Sequence, residues 1–395
     1  MGMKQPPTRR RLMIELALAG MASPVAASAA SQASPGARTQ DVRADGEASP
    51  DESYPPVRPG VRLEFPRDHG AHPRYRIEWW YITAWVSPIG QPDQALGVQI
   101  TFFRVRTGHP LANPSRFSAA QLMFAHAAIA DPARGRLIHL EQTARPGFGW
   151  AGFTERDTDV QLGRWSLVRE PADRYRSRIA ERAIDLDLSF EPPGPPILQG
   201  DQGFSPKGPA PEQASYYYSR PWMRARGQLN GRSVEGVAWF DHEWSSELLA
   251  PNAQGWDWAG LHLDDGRALM VFRIRDTGDA TLWTQYRWVT PEALHGGSAE
   301  PVAQAGGNGQ VAVGFEVRRL WQSPRTGVRW PVEIAITIGA FAFQLEPLMD
   351  DQELDARGGT GVLYWEGAVR MRDTQGRAIG RGYLELTGYG ERLRI

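Results

Sequence analysis

The sequence predicts an all-β protein built from two antiparallel β-barrels that pack together. Short apolar runs rich in aromatic and β-branched residues are separated by turn residues, and the chain contains 15 Trp, 42 Gly and 31 Pro. No segment shows the pattern of a long amphipathic helix. At 395 residues the chain is too long for one small barrel, and closed barrels leave no unpaired sheet edge.

Composition excludes whole classes of function. The chain has 44 Lys+Arg against 45 Asp+Glu, so no basic field favours a nucleic-acid partner. Cysteine is absent, which excludes disulfides, thiolate metal sites, cysteine nucleophiles and a lipid-anchor cysteine.

The first 29 residues have the pattern of a twin-arginine export signal. A basic stretch at residues 8–13 precedes a short, weakly apolar run, and Ala27-Ser28-Ala29 fits a cleavage site. The run is far shorter than the roughly 20 residues of a membrane helix. We therefore predict a periplasmic or secreted protein with no integral membrane segment and a disordered linker over residues 30–53. The alternative is a disordered basic tail.

The remaining chain is predicted to form an N-terminal barrel over residues 54–244 and a C-terminal barrel over residues 245–395. Residues 74–88 and 95–105 read as a hairpin whose first strand is apolar on both faces, so both faces should be covered. Residues 121–130 favour a strand over a helix. In the second barrel, residues 328–343 are expected to form one strand.

The sharpest functional signal lies in residues 236–266, where acids, an imidazole and indoles crowd together. Side chains alternate faces along a strand. One face should carry Trp239, Asp241 and Glu243, and the other Phe240, His242 and Trp244. On the next strand Asp257 shares a face with apolar residues, and desolvation of such a carboxyl favours its protonated form.

These residues suggest acid-catalysed chemistry on an apolar ligand. Asp257 would be the proton donor, with Asp241 and Glu243 as further catalytic candidates, and His242 would hold a water or return the proton. Trp244, Trp256 or Trp258 would stabilise a cation through the ring face. Four indoles would contact the ligand. They are Trp239, Trp244, Trp256 and Trp258. The alternative is that Asp241, His242 and Asp257 form a hydrogen-bonded knot between two strands.

A second cluster is expected inside the first barrel. Glu78, Arg104 and His126 lie on apolar strand faces, together with Trp80, and could bind a polar head group. The alternative is a buried ion pair that specifies the fold. No metal site is predicted, because the eight His lack ligand spacing and His242-Glu243 is not followed by a zinc-protease histidine. A serine hydrolase is disfavoured, because no Gly-x-Ser-x-Gly motif is present.

Four motifs follow one another in the order of a known family: Glu78-Trp79-Trp80-Tyr81, then residues 216–222, 239–244 and 380–389. From about residue 54 onward, the chain resembles the carotenoid 1,2-hydratase (hydroxyneurosporene synthase) family and its larger branch, the AttH-like predicted secreted hydrolases. The resemblance implies two lipocalin-like barrels. For the hydratase branch it also implies addition of water to a carbon–carbon double bond without a cofactor.

Within that resemblance, His242-Glu243-Trp244 fits the His-x-Trp element of the hydratases, whereas the acid at Asp257 is assigned from the residues alone. Residues 255–266 and the export signal look more like the AttH-like branch. Two functions remain open. One is a cofactor-free enzyme that hydrates or hydrolyses a lipid or isoprenoid. The other is a periplasmic lipid carrier or chaperone that works with an inner-membrane ABC transporter, as the AttH-like name implies.

Overall fold

The computed structural model describes residues 54–109, 115, 118–297, 303–305 and 313–393. The predicted export signal and linker lie outside these residues. Strands dominate the described chain, which confirms the all-β fold class. The helical elements described are short: the 3₁₀ turns Arg67–His69 and Pro171–Asp173, and α1 (Pro291–Leu294). Across the described residues, no helix has the length and apolar character needed to cross a membrane.

The first sheet curls into a nearly closed barrel. Its strands are β1 (Ile77–Pro88), β2 (Leu96–Arg106), β3 (Gln121–Ala130), β4 (Ile138–Ala144), β5 (Ala151–Phe153), β6 (Asp159–Leu162), β7 (Trp165–Glu170), β8 (Arg174–Ala180), β9 (Asp185–Glu191), β10 (Ile197–Leu198), β11 (Phe204–Pro206), β12 (Ala214–Leu229) and β13 (Arg232–Ser245). The order is β4-β3-β2-β1-β13-β12-β9-β8-β7-β6-β5, and β10 and β11 pair with β12. The strand predicted at residues 121–130 is confirmed as β3.

The second sheet forms a half-barrel. Its strands are β14 (Ala253–Leu263), β15 (Ala268–Asp276), β16 (Thr281–Val289), β17 (Ala303–Ala305), β18 (Val313–Gln322), β19 (Arg329–Ile338), β20 (Phe341–Pro347), β21 (Glu353–Ala356), β22 (Val362–Asp373) and β23 (Ala378–Thr387). The order is β17-β16-β15-β14-β23-β22-β20-β19-β18, and β21 pairs with β22. The single strand expected over residues 328–343 is wrong. The chain reverses at Gly339, whose φ of 58° suits a residue without a side chain.

Strands β1 and β13 lie side by side between two apolar regions. Inward-facing residues such as Ile82 and Phe240 join the core of the first barrel, whereas Tyr81 and Trp239 join an apolar layer between the two barrels. The second barrel has its own core. The prediction that both faces of the first strand are covered is therefore confirmed.

The segment before β1 closes one part of the first barrel. Val57, Leu63 and Ala71 are buried in the core of that barrel. Packing of these side chains brings Asp68, and His72 directly after Ala71, to the ends of β1 and β13. The candidate site begins there.

Candidate functional site

A cluster of five polar side chains lies inside the first barrel, and we call it the histidine–acid cluster. It consists of Asp68, His72, Glu78, Arg104 and His242. Strand pairing creates it, because Glu78 on β1 lies opposite Arg104 on β2. In the β1–β13 pairing, Trp80 lies opposite His242, so His242 is the diagonal neighbour of Glu78 on the same face.

Glu78 is at the centre of the cluster and is fully buried. Its Oε2 accepts a hydrogen bond from Arg104 Nε at 2.8 Å. Its Oε1 lies 2.8 Å from His72 Nδ1 and 2.9 Å from His242 Nε2. The backbone N–H of His72 also donates to the carboxylate. Burial alone would raise the pKa of Glu78, but Arg104 and the two histidines hold it well below its usual value.

The two imidazoles occupy different electrostatic environments. Burial acts to lower the pKa of His72, but the carboxylates of Glu78 and Asp68 outweigh burial and raise it. Burial lowers the pKa of His242 to about 4, despite the hydrogen bond to Glu78. The cluster therefore holds one imidazole that favours the charged form and one that favours the neutral form.

Indole rings fix the orientation of both imidazoles. His72 stacks on Trp244 with ring centroids 3.6 Å apart and planes inclined by 6°. Trp80 lies over His242 at 4.8 Å and 23°. Trp80 and Trp244 were predicted to contact a ligand, and here they form the walls of the polar cluster.

A row of hydrogen bonds extends the cluster across the barrel. Tyr218 Oη lies 3.2 Å from His242 Nδ1 and 2.8 Å from His69 Nδ1. Tyr175 Oη is 3.3 Å from the same atom of His69 and accepts a hydrogen bond from Arg220. Burial lowers the pKa of His69 to about 3, so its ring is neutral around pH 7. The interior of the first barrel thus contains a continuous polar array.

His72 connects the cluster to solvent. Its side chain is 16% exposed, whereas those of Glu78 and His242 are fully buried. Two surface grooves, of about 290 and 350 Å³, lie elsewhere on the protein and include no residue of the cluster. The side chain of His72 is therefore the most exposed of the cluster.

The structure separates the residues that the sequence grouped together. Asp241 faces the layer between the barrels, where its carboxylate accepts hydrogen bonds from Tyr217 Oη at 2.7 Å, Trp239 Nε1 at 2.7 Å and Ser219. Burial raises the pKa of Asp241 to about 7. The alternation of faces along β13 is thus confirmed, and it places Asp241 on the opposite side of the sheet from His242.

Glu243 and three of the predicted indoles also lie between the barrels. Glu243 accepts a hydrogen bond from Ser215 and forms an ion pair with Lys207 at 2.9 Å. Trp239 and Trp258 are buried in the apolar layer, and Trp256 packs against it. These residues bind the two barrels to each other.

Asp257 lies inside the second barrel. Its carboxylate accepts hydrogen bonds from Arg273 Nε at 2.5 Å, Arg275 Nε at 3.1 Å and Tyr389 Oη at 3.0 Å. It faces an apolar core, as predicted, and its two carboxylate oxygens are each paired with a guanidinium group. The carboxyl group of Asp257 is therefore part of a buried ion-pair network, which the sequence did not predict. The hydrogen-bonded knot of Asp241, His242 and Asp257 does not form. Asp241 lies between the barrels, His242 lies inside the first barrel, and Asp257 lies inside the second.

The predicted second cluster forms in part. Glu78 and Arg104 make the ion pair already described. His126 does not join them, because its side chain faces the second barrel, where Nδ1 lies 2.7 Å from Tyr364 Oη and Nε2 lies 3.1 Å from Thr360 Oγ1. Burial lowers its pKa to about 3.

Sequence reasoning missed Asp68 and His72, which stand in a segment without strand periodicity and match no spacing rule. It also missed Arg273 and Arg275. A signal for these two was present, because arginines that alternate on an apolar strand require a buried acid partner.

Acids packed between the barrels, among them the half-buried Glu385, predict a pH-dependent stability. Burial, aided by Asp241 and Glu243, raises the pKa of Glu385 from about 4.5 to about 7. A raised acid pKa means that stability is fully present below about pH 4.5 and is lost as pH rises through 7. Glu385→Gln should therefore stabilise the protein by about 1–3 kcal/mol at pH 8.5 and change little at pH 4.5, as measured by urea unfolding.

The matched control for this test is Glu391→Gln, since the side chain of Glu391 is 71% exposed. It should be nearly neutral at both pH values. An equal gain for Glu385→Gln at both pH values would contradict the assignment.

Comparison with known proteins places the chain in a family. The AttH-like family matches residues 56–389. The crystal structure of a candidate AttH from Nitrosomonas europaea has 44% sequence identity and a TM-score of 0.76, and the match covers 85% of this chain and 99% of that one. Kievitone hydratase from Nectria haematococca has a similar fold at 14% identity and a TM-score of 0.58, over 86% of this chain and 97% of that one. No curated protein matches significantly. The chain therefore belongs to the AttH-like family.

Proposed function

We propose that the protein is an exported enzyme that adds water to, or hydrolyses, an apolar ligand such as a lipid or isoprenoid, with the histidine–acid cluster as its reaction centre. The observation that carries this proposal is the buried array around Glu78, in which two imidazoles and a guanidinium converge on one carboxylate beside an apolar core. Such convergence of polar groups at an apolar site is typical of small-molecule binding sites.

The geometry favours chemistry that uses water. The side chain of His72 is partly exposed to solvent, while those of Glu78 and His242 are fully buried. A water bound beside the imidazoles would be oriented by groups whose own positions are fixed by Trp80 and Trp244. An apolar ligand would contact the indoles, and any positive charge that develops on it would be stabilised by their π-faces.

This proposal moves the reaction centre away from the acid that the sequence favoured. His242 and Trp244 keep their proposed roles, and Glu78, Arg104 and Trp80 join them. Asp257 takes a structural role, because Arg273 and Arg275 both donate hydrogen bonds to its carboxylate. Hydration is the first reaction to test, because the distant structural neighbour kievitone hydratase is named for it. Export rests on the twin-arginine-like pattern of residues 1–29.

The test begins with native mass spectrometry of the protein purified from its own host, to identify a co-purifying apolar molecule. That molecule is then incubated with wild-type protein, His242→Gln and the control His139→Gln, and products are followed by chromatography with mass detection. His139 is a matched control because it lies on β4, where its Nε2 is 3.3 Å from the backbone carbonyl of Asp355.

We expect turnover by wild type and His139→Gln, and a loss of at least about 100-fold for His242→Gln, since removal of one proton-transferring or orienting group commonly costs 10²–10⁴. Retained turnover in His242→Gln would overturn the proposed centre. A wild type that holds the molecule but never changes it would instead establish a carrier. Co-purification with an inner-membrane ABC transporter would then identify its partner.

A further inference from the structure

We propose that His72, Glu78 and His242 form a binding site for one divalent transition-metal ion, of which Zn²⁺ and Fe²⁺ are the best candidates. The ligand atoms would be His72 Nδ1, Glu78 Oε1 and His242 Nε2, which all lie within 4.8 Å of one another. This inference does not require the protein to be an enzyme.

The spacing of the donor atoms suits a metal ion. Both imidazole nitrogens lie close to the same carboxylate oxygen, at 2.8 and 2.9 Å. Metal–nitrogen and metal–oxygen bonds are about 2.0–2.2 Å long, so ligand atoms at right angles around an ion are about 3 Å apart. Small side-chain movements would therefore admit an ion at the common focus of the three atoms.

The hydrogen bonds around His72 support this assignment. Its Nδ1 lies 2.8 Å from Glu78 and its Nε2 lies 3.3 Å from Asp68, so each ring nitrogen faces a carboxylate. A neutral imidazole has only one N–H and can donate to only one of the two. A protonated imidazole would donate to both, and an ion on Nδ1 satisfies the same geometry, because Nε2–H then donates to Asp68 in the carboxylate–histidine–metal arrangement common in metalloproteins.

The other two ligands have the same kind of support. His242 Nδ1 lies 3.2 Å from Tyr218 Oη, which leaves Nε2 as the coordinating atom. The second oxygen of Glu78 is held by Arg104 Nε, which leaves Oε1 for the ion. Stacking on Trp244 and Trp80 fixes both rings. Each ligand thus has an outer partner that sets its orientation, as metal sites require.

The donor set selects the class of metal. Two imidazoles and one carboxylate suit zinc, iron(II) and related ions, whereas calcium and magnesium prefer oxygen ligands alone. Three protein ligands would leave one or more coordination positions for water or a ligand. The competing explanation is a cluster held together by protons alone, in which no ion binds.

Metal binding is measured directly on the full chain. The protein is stripped with a chelator, and Zn²⁺ is titrated against a chromophoric competitor, with the stoichiometry checked by elemental analysis. Co²⁺ serves as a second probe, since its visible absorption reports nitrogen and oxygen coordination. We expect one ion per chain and a rise in Tm on binding.

Variants assign the ligands. His72→Ala and His242→Ala should each weaken zinc binding by at least about 100-fold, and Asp68→Asn by about 10–100-fold, as is usual for an outer partner. The control His139→Ala should bind as wild type does. His72 lies outside the strands, so His72→Ala keeps the test valid if His242→Ala does not fold, which circular dichroism will show.

Absence of saturable zinc binding by the wild type would overturn the proposal, as would unchanged affinity in a folded His72→Ala. Zinc bound at this site by a protein that turns over no ligand would leave the metal site standing and refute the proposed enzyme. Turnover by the chelator-stripped protein, together with an absence of zinc binding, would support the proposed enzyme and overturn the metal site.

Discussion

Asp257→Ala is expected to lower the free energy of unfolding by about 3–5 kcal/mol, because it leaves buried positive charge without a counter-ion. The carboxylate and the side chain of Arg275 are both fully buried, and that of Arg273 is 10% exposed. Urea denaturation followed by tryptophan fluorescence measures the change. Asp257→Asn should be nearly as damaging, since an amide does not neutralise the two guanidinium groups.

A neighbouring acid provides the matched control. Asp279 also pairs with Arg275, at 2.8 Å, but its side chain is 69% exposed. Asp279→Asn should therefore change stability by less than about 1 kcal/mol, as exposed ion pairs do. If Asp257→Asn kept full stability but abolished turnover, Asp257 would be the catalytic acid that its strand pattern suggested, and the structural role assigned here would be wrong.

Gly97→Val is expected to destabilise the contact between the barrels by about 1–3 kcal/mol through overpacking. A Cβ at Gly97 would lie 2.5 Å from Tyr383 Oη and 2.9 Å from the Cβ of Ala368, both in the second barrel. Neither neighbour can move freely, because both are buried in the apolar layer. The measurement is the midpoint of thermal unfolding.

Gly152→Val on β5 controls for the change of residue type, because a Cβ there would meet no atom within 4 Å. Its midpoint should stay close to that of the wild type. Equal losses for the two variants would show that valine itself is unfavourable and that the close approach at Gly97 is unimportant.

Local pattern predicted much of the fold because strand alternation is a property of neighbouring residues. It placed Trp239 and Asp241 on one face of β13 and Phe240 on the other, as the structure does. It failed at residues 328–343, where two apolar strands are joined by a tight turn at Gly339. Nothing in an apolar run distinguishes one long strand from two short ones until a turn residue is recognised.

The site was less predictable because it depends on long-range pairing. Grouping His242 with Asp257 relied on their closeness in sequence, yet the sheets place them in different barrels. The partner of His242 is Glu78, and His72 comes from a segment with no periodic signal. Only knowledge of which strands are neighbours could have joined these three residues.

The antiparallel pairing of β1 with β13 has a consequence for the ribosome-bound chain. Glu78 and His242 meet across 164 residues of sequence, so the cluster cannot exist until nearly all of the first barrel has been synthesised. Until β13 emerges, one edge of the apolar strand β1 stays unpaired and open to wrong partners. Late pairing of this kind is slow, because a large loop must close before its contacts can stabilise it. Formation of the cluster therefore marks the completion of the first barrel during synthesis.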